Sequence, residues 1–247
     1  MSVLSPETSL APLCAATPEW LRSIVWNDFR IAVAFFVVAP LALLASSVYA
    51  CRPGGGRSRG SEAALRYMTS YWQASSLLLI TVLFAVEEAP AEAVTGLVAQ
   101  AMIAASLWWW TDLSDDIEDA GGEPLAATFR AWRSAATVAA VGGVAVQVPN
   151  VPCVAAPGGL MEDASCAAWL EPPKFAAALV GVEPSAALGA LAAFACGLYC
   201  AVLAYYCAVL LPAVGRKGRA PRPDVMDVAS PLGAWRMLGF VGDQEAP

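Results

Sequence analysis

Apolar positions along this chain come in long blocks separated by short polar stretches. Ile31 to Ala50 is an uncharged apolar run, long enough to cross a bilayer as a helix. Tyr67 to Val86 is a second, and Ala93 to Thr111 a third, which ends in three tryptophans. Ser134 to Val154 is a weaker fourth, rich in Ala, Gly and Val. Ala187 to Val214 is a fifth, long enough to tilt. Phe175 to Val182 is too short to span and reads as a buried or interfacial piece. Pro40 should kink the first span, because it lacks the amide hydrogen a helix needs. The pattern predicts an all-α polytopic protein: a segment 1–30, a five-helix bundle over 31–214 with a loop at 155–186, and an arm at 215–247.

Composition agrees with lipid as the solvent. The 247 residues are 58% hydrophobic and 14% charged, with mean hydropathy +0.59. Soluble domains carry about 25% charged residues. The net charge of −7 argues against a nucleic-acid partner. The chain has no histidine, which removes His-ligated haem, most zinc sites and Ser-His or Cys-His catalysis.

Loop charge sets an orientation. Five spans put Cys51–Arg66, Asp112–Arg133 and the tail from Gly215 on one side, and only Arg22, Arg30 and Lys174 of the 14 Lys and Arg fall outside them. Basic loops stay on the cytoplasmic or stromal side. The N-terminus is therefore expected outside or in a lumen, and the C-terminus in the cytoplasm or stroma. Cys14, Cys153 and Cys166 then lie on the positive-poor side. Cys153 and Cys166 share one loop there, as a disulfide or as two free thiols. In the last span, Gly189, Ala193, Cys196, Cys200 and Cys207 fall on one predicted face, a small-residue stripe suited to close helix approach.

The stretch Ser106–Asp119, SLWWWTDLSDDIED, is the most conspicuous. Trp108, Trp109 and Trp110 read as an interfacial belt, and successive helical residues about 100° apart cannot share one face. Asp112, Asp116 and Asp119 would line up if the helix continued. Acids at a helix C-terminus oppose its dipole, so the helix should end near Trp110 unless a cation sits there. Asp115-Asp116-Ile117-Glu118-Asp119 also fits the DDxxD pattern that holds magnesium in prenyl-diphosphate enzymes. Asp112, Asp115, Asp116 and Asp119 would be its ligands. Against that reading, the chain has no second Asp-rich motif and few basic residues beside this one. A solvated docking loop built on Asp115, Asp116, Glu118 and Asp119 is the commoner fate of such a run. Arg130 and Arg133 are placed to return to these acids.

Four stretches together resemble a known family: Val25–Arg30 (VWNDFR) leading into Phe35-Phe36, Tyr71–Leu78 (YWQASSLL), Ser106–Leu113 with the acids that follow, and Cys166–Pro173 (CAAWLEPP). The family is one of unknown function found in cyanobacteria and in the plastids of algae and plants. Its likeness covers roughly residues 20 to 215. The resemblance implies an integral protein of the thylakoid, with lumenal N-terminus and stromal C-terminus, and no established reaction. It also implies that Cys153 pairs with Cys166. The first residues show neither an Arg/Ser-rich transit peptide nor a signal-peptide core, which fits a mature chain or a trimmed one.

In that setting three functions compete. The first is an accessory or linker subunit joining a photosystem, with photosystem I favoured, to its antenna. Its partners would be photosystem core and light-harvesting proteins and membrane lipid. It would hold few pigments, chlorophyll or carotenoid, with Gln73, Gln100, Gln147, Asn150, Glu87 and Glu88 as axial-ligand candidates and Trp108, Trp109 and Trp110 as ring contacts. The Gln residues could equally bond between helices. The Pro-rich tail would dock through Trp235 and Phe240. The second is the magnesium-dependent prenyl-diphosphate enzyme. The third is a transporter or a photosystem assembly factor. A transporter should show repeated halves with broken helices, and no internal repeat is visible.

Overall fold

The computed structural model describes residues 17–52, 58–155 and 163–210. Among them the fold is all-α, with five helices long and apolar enough to cross a membrane. These are α1 (Glu19–Cys51), α2 (Arg59–Val86), α3 (Ala91–Trp109), α5 (Pro124–Ala155) and α7 (Ala186–Ala208). Two shorter helices lie between them: α4 (Thr111–Asp119) and α6 (Ala164–Leu179). The protein is thus a multi-pass membrane protein. Trp235 and Phe240, with the tail around them, lie outside the described residues.

Each expected span has a helix: the first, second and fourth start earlier than the apolar run, the third stops at Trp109, and the end of the fifth, past residue 210, lies outside the described residues. α1 begins twelve positions before the apolar run because Pro18 and Glu19 suit a helix start. Pro40 falls just after a π-helical turn over Val33–Val38, which absorbs the missing amide hydrogen bond within a continuous helix. α2 opens on a reciprocal Ser58–Ser61 cap, in which each backbone N–H donates to the other's hydroxyl at 3.0 and 3.1 Å. α5 ends in a tighter 3-10 stretch, Val148–Ala155, carrying Pro149 and Pro152. The piece expected near Phe175–Val182 is the second half of α6, capped by the Asp163 side chain, which accepts from Ser165 N at 2.8 Å.

The chain forms two compact units. The first contains residues 17–38, 74–104, 135–155 and 163–199. Here Leu77, Ile80, Phe84, Ala99 and Ala192 form one apolar core. Ala85, Ala93, Leu170 and the Cys153–Cys166 disulfide form another. The bridge has an ordinary Cα separation of 5.7 Å. It ties the end of α5 to α6. α6 is also clamped to α1: Glu171, 7% exposed, accepts from Arg22 Nε at 2.8 Å and Trp26 Nε1 at 3.2 Å.

The second unit contains residues 39–52, 58–73, 105–134 and 200–210. Its core is aromatic. Tyr67, Tyr71, Phe129 and Trp132 meet edge to face, with centroids 4.9 to 5.4 Å apart. The Tyr67 hydroxyl donates to the Leu107 carbonyl.

The stripe expected on α7 is divided between its faces. Gly189 packs beside Glu87, and Cys196 joins the core with Ala192. Ala193, Cys200 and Cys207 are exposed. The open small-residue face is instead Ala190, Ala193, Gly197, Ala201 and Ala204.

Candidate functional site: a buried acid–amide centre

Helix α3 ends where the tryptophans end. Trp110 takes an extended conformation, φ −92° and ψ 95°, and α4 starts at the next residue. The three rings part company: Trp108 and Trp109 are 50% and 48% exposed, whereas Trp110 is 4% exposed. α4 is amphipathic, with Leu113 and Ile117 buried and its acids spread around the other faces. Each paired acid meets a separate arginine: Asp112 meets Arg66 at 3.8 Å, Asp119 meets Arg59 at 3.8 Å and Glu118 meets Arg133 at 3.7 Å. Arg133 also donates to Ser114 Oγ at 2.8 Å and lies 4.3 Å over the Trp108 ring. Arg130 turns instead to the Gly121 carbonyl at 2.8 Å.

Asp112, Asp115, Asp116 and Asp119 do not converge, and among the described residues no three acidic or cysteine side chains could share a metal ion. The acids make a charged outer face on a packed helix.

The first unit brings other residues together. α3 and α5 approach through a reciprocal pair of contacts. Gln147 Oε1 lies 2.7 Å from where a Gly96 Cβ would be, and Gln100 Oε1 fills the place a Gly143 Cβ would take. Gly96 and Gln100 are four residues apart, as are Gly143 and Gln147, so each glutamine lies over the other helix's glycine. A Cβ at either glycine would meet the end of the glutamine side chain, which would have to move. Both glutamines also hydrogen-bond the carboxyl of Asp28 on α1. About one turn along α3 and α5, Asn150 Nδ2 donates to Glu92 at 3.2 and 3.4 Å. Gln100, Asn150 and Glu92 are 1%, 1% and 6% exposed.

Most of these groups, though not Asn150 or Gly143, border a cavity of about 100 Å³. Asp28, Glu92, Gln100 and Gln147 supply its polar wall. Trp169, Pro172 and Pro173 of α6 contribute apolar wall, with Val25, Phe29 and Leu78. The space suits a few waters. Gln100 and Gln147 line this cavity, and Asn150 is buried beside Glu92. Gln73 belongs to the other unit and does not line this cavity. Glu87 and Glu88 have structural work: Glu87 accepts from Ser185 N at 2.8 Å, and Glu88 pairs with Lys174.

Asp28 stands in the VWNDFR stretch with no chemical role assigned to it there, and Glu92 stands in no motif. Asp28 lies before the apolar run and Glu92 in a short turn-like stretch. The available signal was the Gly-to-Gln spacing of four, repeated in two spans. Comparison with curated proteins and with solved structures finds no match. A family pattern does match, over residues 22–219. The chain belongs to that family, described as a protein of unknown function, DUF3177.

Proposed function

We propose that this chain is an accessory subunit of a photosynthetic membrane complex, a linker that acts by contact. The observation that carries the reading is the open face of α7. Only 6% of its membrane-crossing window is buried within the chain. Ala190, Ala193, Gly197, Ala201 and Ala204 form an exposed small-residue stripe, and a Cβ on Gly197 would meet nothing within 4 Å. Inside a bilayer, small residues at this spacing let another helix approach closely, and that contact drives association. Exposed Trp108 and Trp109 supply a second contact, with a neighbour or with one of a few pigments. The thylakoid, the lumenal N-terminus and the preference for photosystem I and its antenna rest on the family resemblance and on the arginine-rich loops.

The test is native purification of the tagged protein from solubilised thylakoids, with pigment spectra and mass spectrometry of what accompanies it. Stoichiometric photosystem or antenna subunits support the reading. Their loss in Gly197→Leu, with the protein still in the membrane, locates the contact. A solitary, colourless protein overturns it.

A further inference from the structure

The buried polar groups of the first unit are short of donors. Among the described residues, the Asp28 carboxyl hydrogen-bonds only Gln100 and Gln147, and the Glu92 carboxyl only Asn150. Neither acid meets a basic side chain among the described residues. Arg22 is engaged with Glu171, Lys174 with Glu88, and Arg30 lies over Trp26. Three amide oxygens, Gln100 Oε1, Gln147 Oε1 and Asn150 Oδ1, are buried with no donor. Among the described residues, Asp28 and Glu92 are the only titratable groups lining the cavity. A buried acceptor without a donor is costly, and an uncompensated carboxylate at membrane depth more so. Polar groups are kept in such a place when something binds there.

We propose that the Asp28–Gln100–Gln147 centre binds a monovalent cation, a proton or a sodium ion, inside the membrane. One carboxylate and its amides form each set: Asp28 with two glutamines, Glu92 with Asn150. A single negative charge per set balances a single positive one. A divalent ion would want six to eight oxygens with several carboxylates, and the acids are not gathered that way. The amides supply the adjustment. An amide turned by half a rotation exchanges its oxygen for its nitrogen. With Asp28 charged and the site empty, the NH2 groups face the carboxylate. With a cation present, the turned oxygens face it, and cavity water completes the shell. Gly96 and Gly143 give the room for that rotation. The proton and sodium share this chemistry because both need oxygen acceptors around one carboxylate.

This inference is independent of the accessory role, since partner capture and ion binding are read separately. The experiment is difference infrared spectroscopy of the full chain in lipid, first across pH and then at fixed pH with NaCl, KCl or choline chloride. The expected result is a protonated-carboxyl band that disappears as pH rises and is absent in Asp28→Asn. Loss of the band on adding Na⁺ but not K⁺ assigns the site to sodium; loss with pH alone assigns it to the proton. If Asp28→Asn does not accumulate, Gln147→Ala gives the same information, because it must shift the band. A band indifferent to pH and salt, or no carboxyl change traceable to Asp28, overturns the proposal.

Discussion

The two units treat buried charge in opposite ways. In the aromatic unit the buried charge is Arg133, and everything around it answers a cation: the Ser114 hydroxyl, the Glu118 carboxylate and the face of Trp108. In the other unit Glu171 is met by Arg22, but the acids at the cavity, Glu92 buried and Asp28 partly buried, are surrounded by amide and apolar wall. The dense acidic run 112–119 therefore marks a packed helix with its counter-charges at hand. The scattered acids, Asp28 and Glu92, mark the place where counter-charge is missing. Local density of charge is a poor guide to a site; the balance of donors and acceptors after folding is a better one.

The largest expected effect breaks the acid–amide unit's outer tie. Cys166→Ser frees α6, which carries Trp169, Pro172 and Pro173 at the cavity wall, from the end of α5 that carries Asn150. A loop closed by a disulfide of this span contributes about 2–4 kcal/mol. Thermal unfolding in detergent should fall by several degrees, and a reductant should produce the same fall in the parent but none in the variant.

Next comes the helix contact beneath the cavity. Gly143→Ala places a methyl where Gln100 Oε1 lies, so the amide must leave and its link to Asp28 with it. Overpacking of this kind costs about 1–3 kcal/mol. Gly142→Ala is the control one residue away, where a Cβ meets nothing within 4 Å. Its melting temperature should hold or rise slightly, since Ala is the better helix former. Equal losses in both would remove the special role given to the Gly–Gln packing.

A smaller effect is expected in the aromatic unit. Arg133→Gln removes the cation over Trp108 and the bond to Ser114 but leaves Glu118 largely in solvent, so no buried acid is stranded. The loss should be about 1–2 kcal/mol. It should come with a change in tryptophan fluorescence that Trp108→Phe abolishes.

How far the sequence could be read follows from length scale. The spans were legible because a membrane helix writes its whole length as an apolar block, and within the described residues each expected block contains a membrane-length helix. The break at Trp110 was legible too, because acids directly after a helix end oppose its dipole. The extra length of α1 and α2 was not, since their polar ends, Trp20 to Arg30 and Arg59 to Arg66, look like loop. The acid–amide centre joins α1, α3 and α5 over more than a hundred residues of chain. Its partners are set by which helix faces meet, and apolar periodicity is weak on helices that lipid surrounds. The face of α7 was misplaced for the same reason: Ala, Gly and Cys occur on every side of it.

The smallest effect concerns α4's outer face, where the two readings of its acids part most clearly. Asp119 and Arg59 are 3.8 Å apart, and both side chains are 70% exposed. Such a pair contributes roughly 0–1 kcal/mol, because water and salt screen it and two long side chains lose freedom to hold it. Asp115 is exposed and, among the described residues, makes no ion pair. Asp115→Asn with Asp119→Asn should therefore leave the melting temperature within a degree or two. If α4 is a docking face, the same double variant should lose co-purifying subunits as ionic strength rises, while the parent keeps them. If partners are retained equally at every salt concentration, the acids serve only solvation of the helix, and the contact function falls to α7 and the exposed tryptophans.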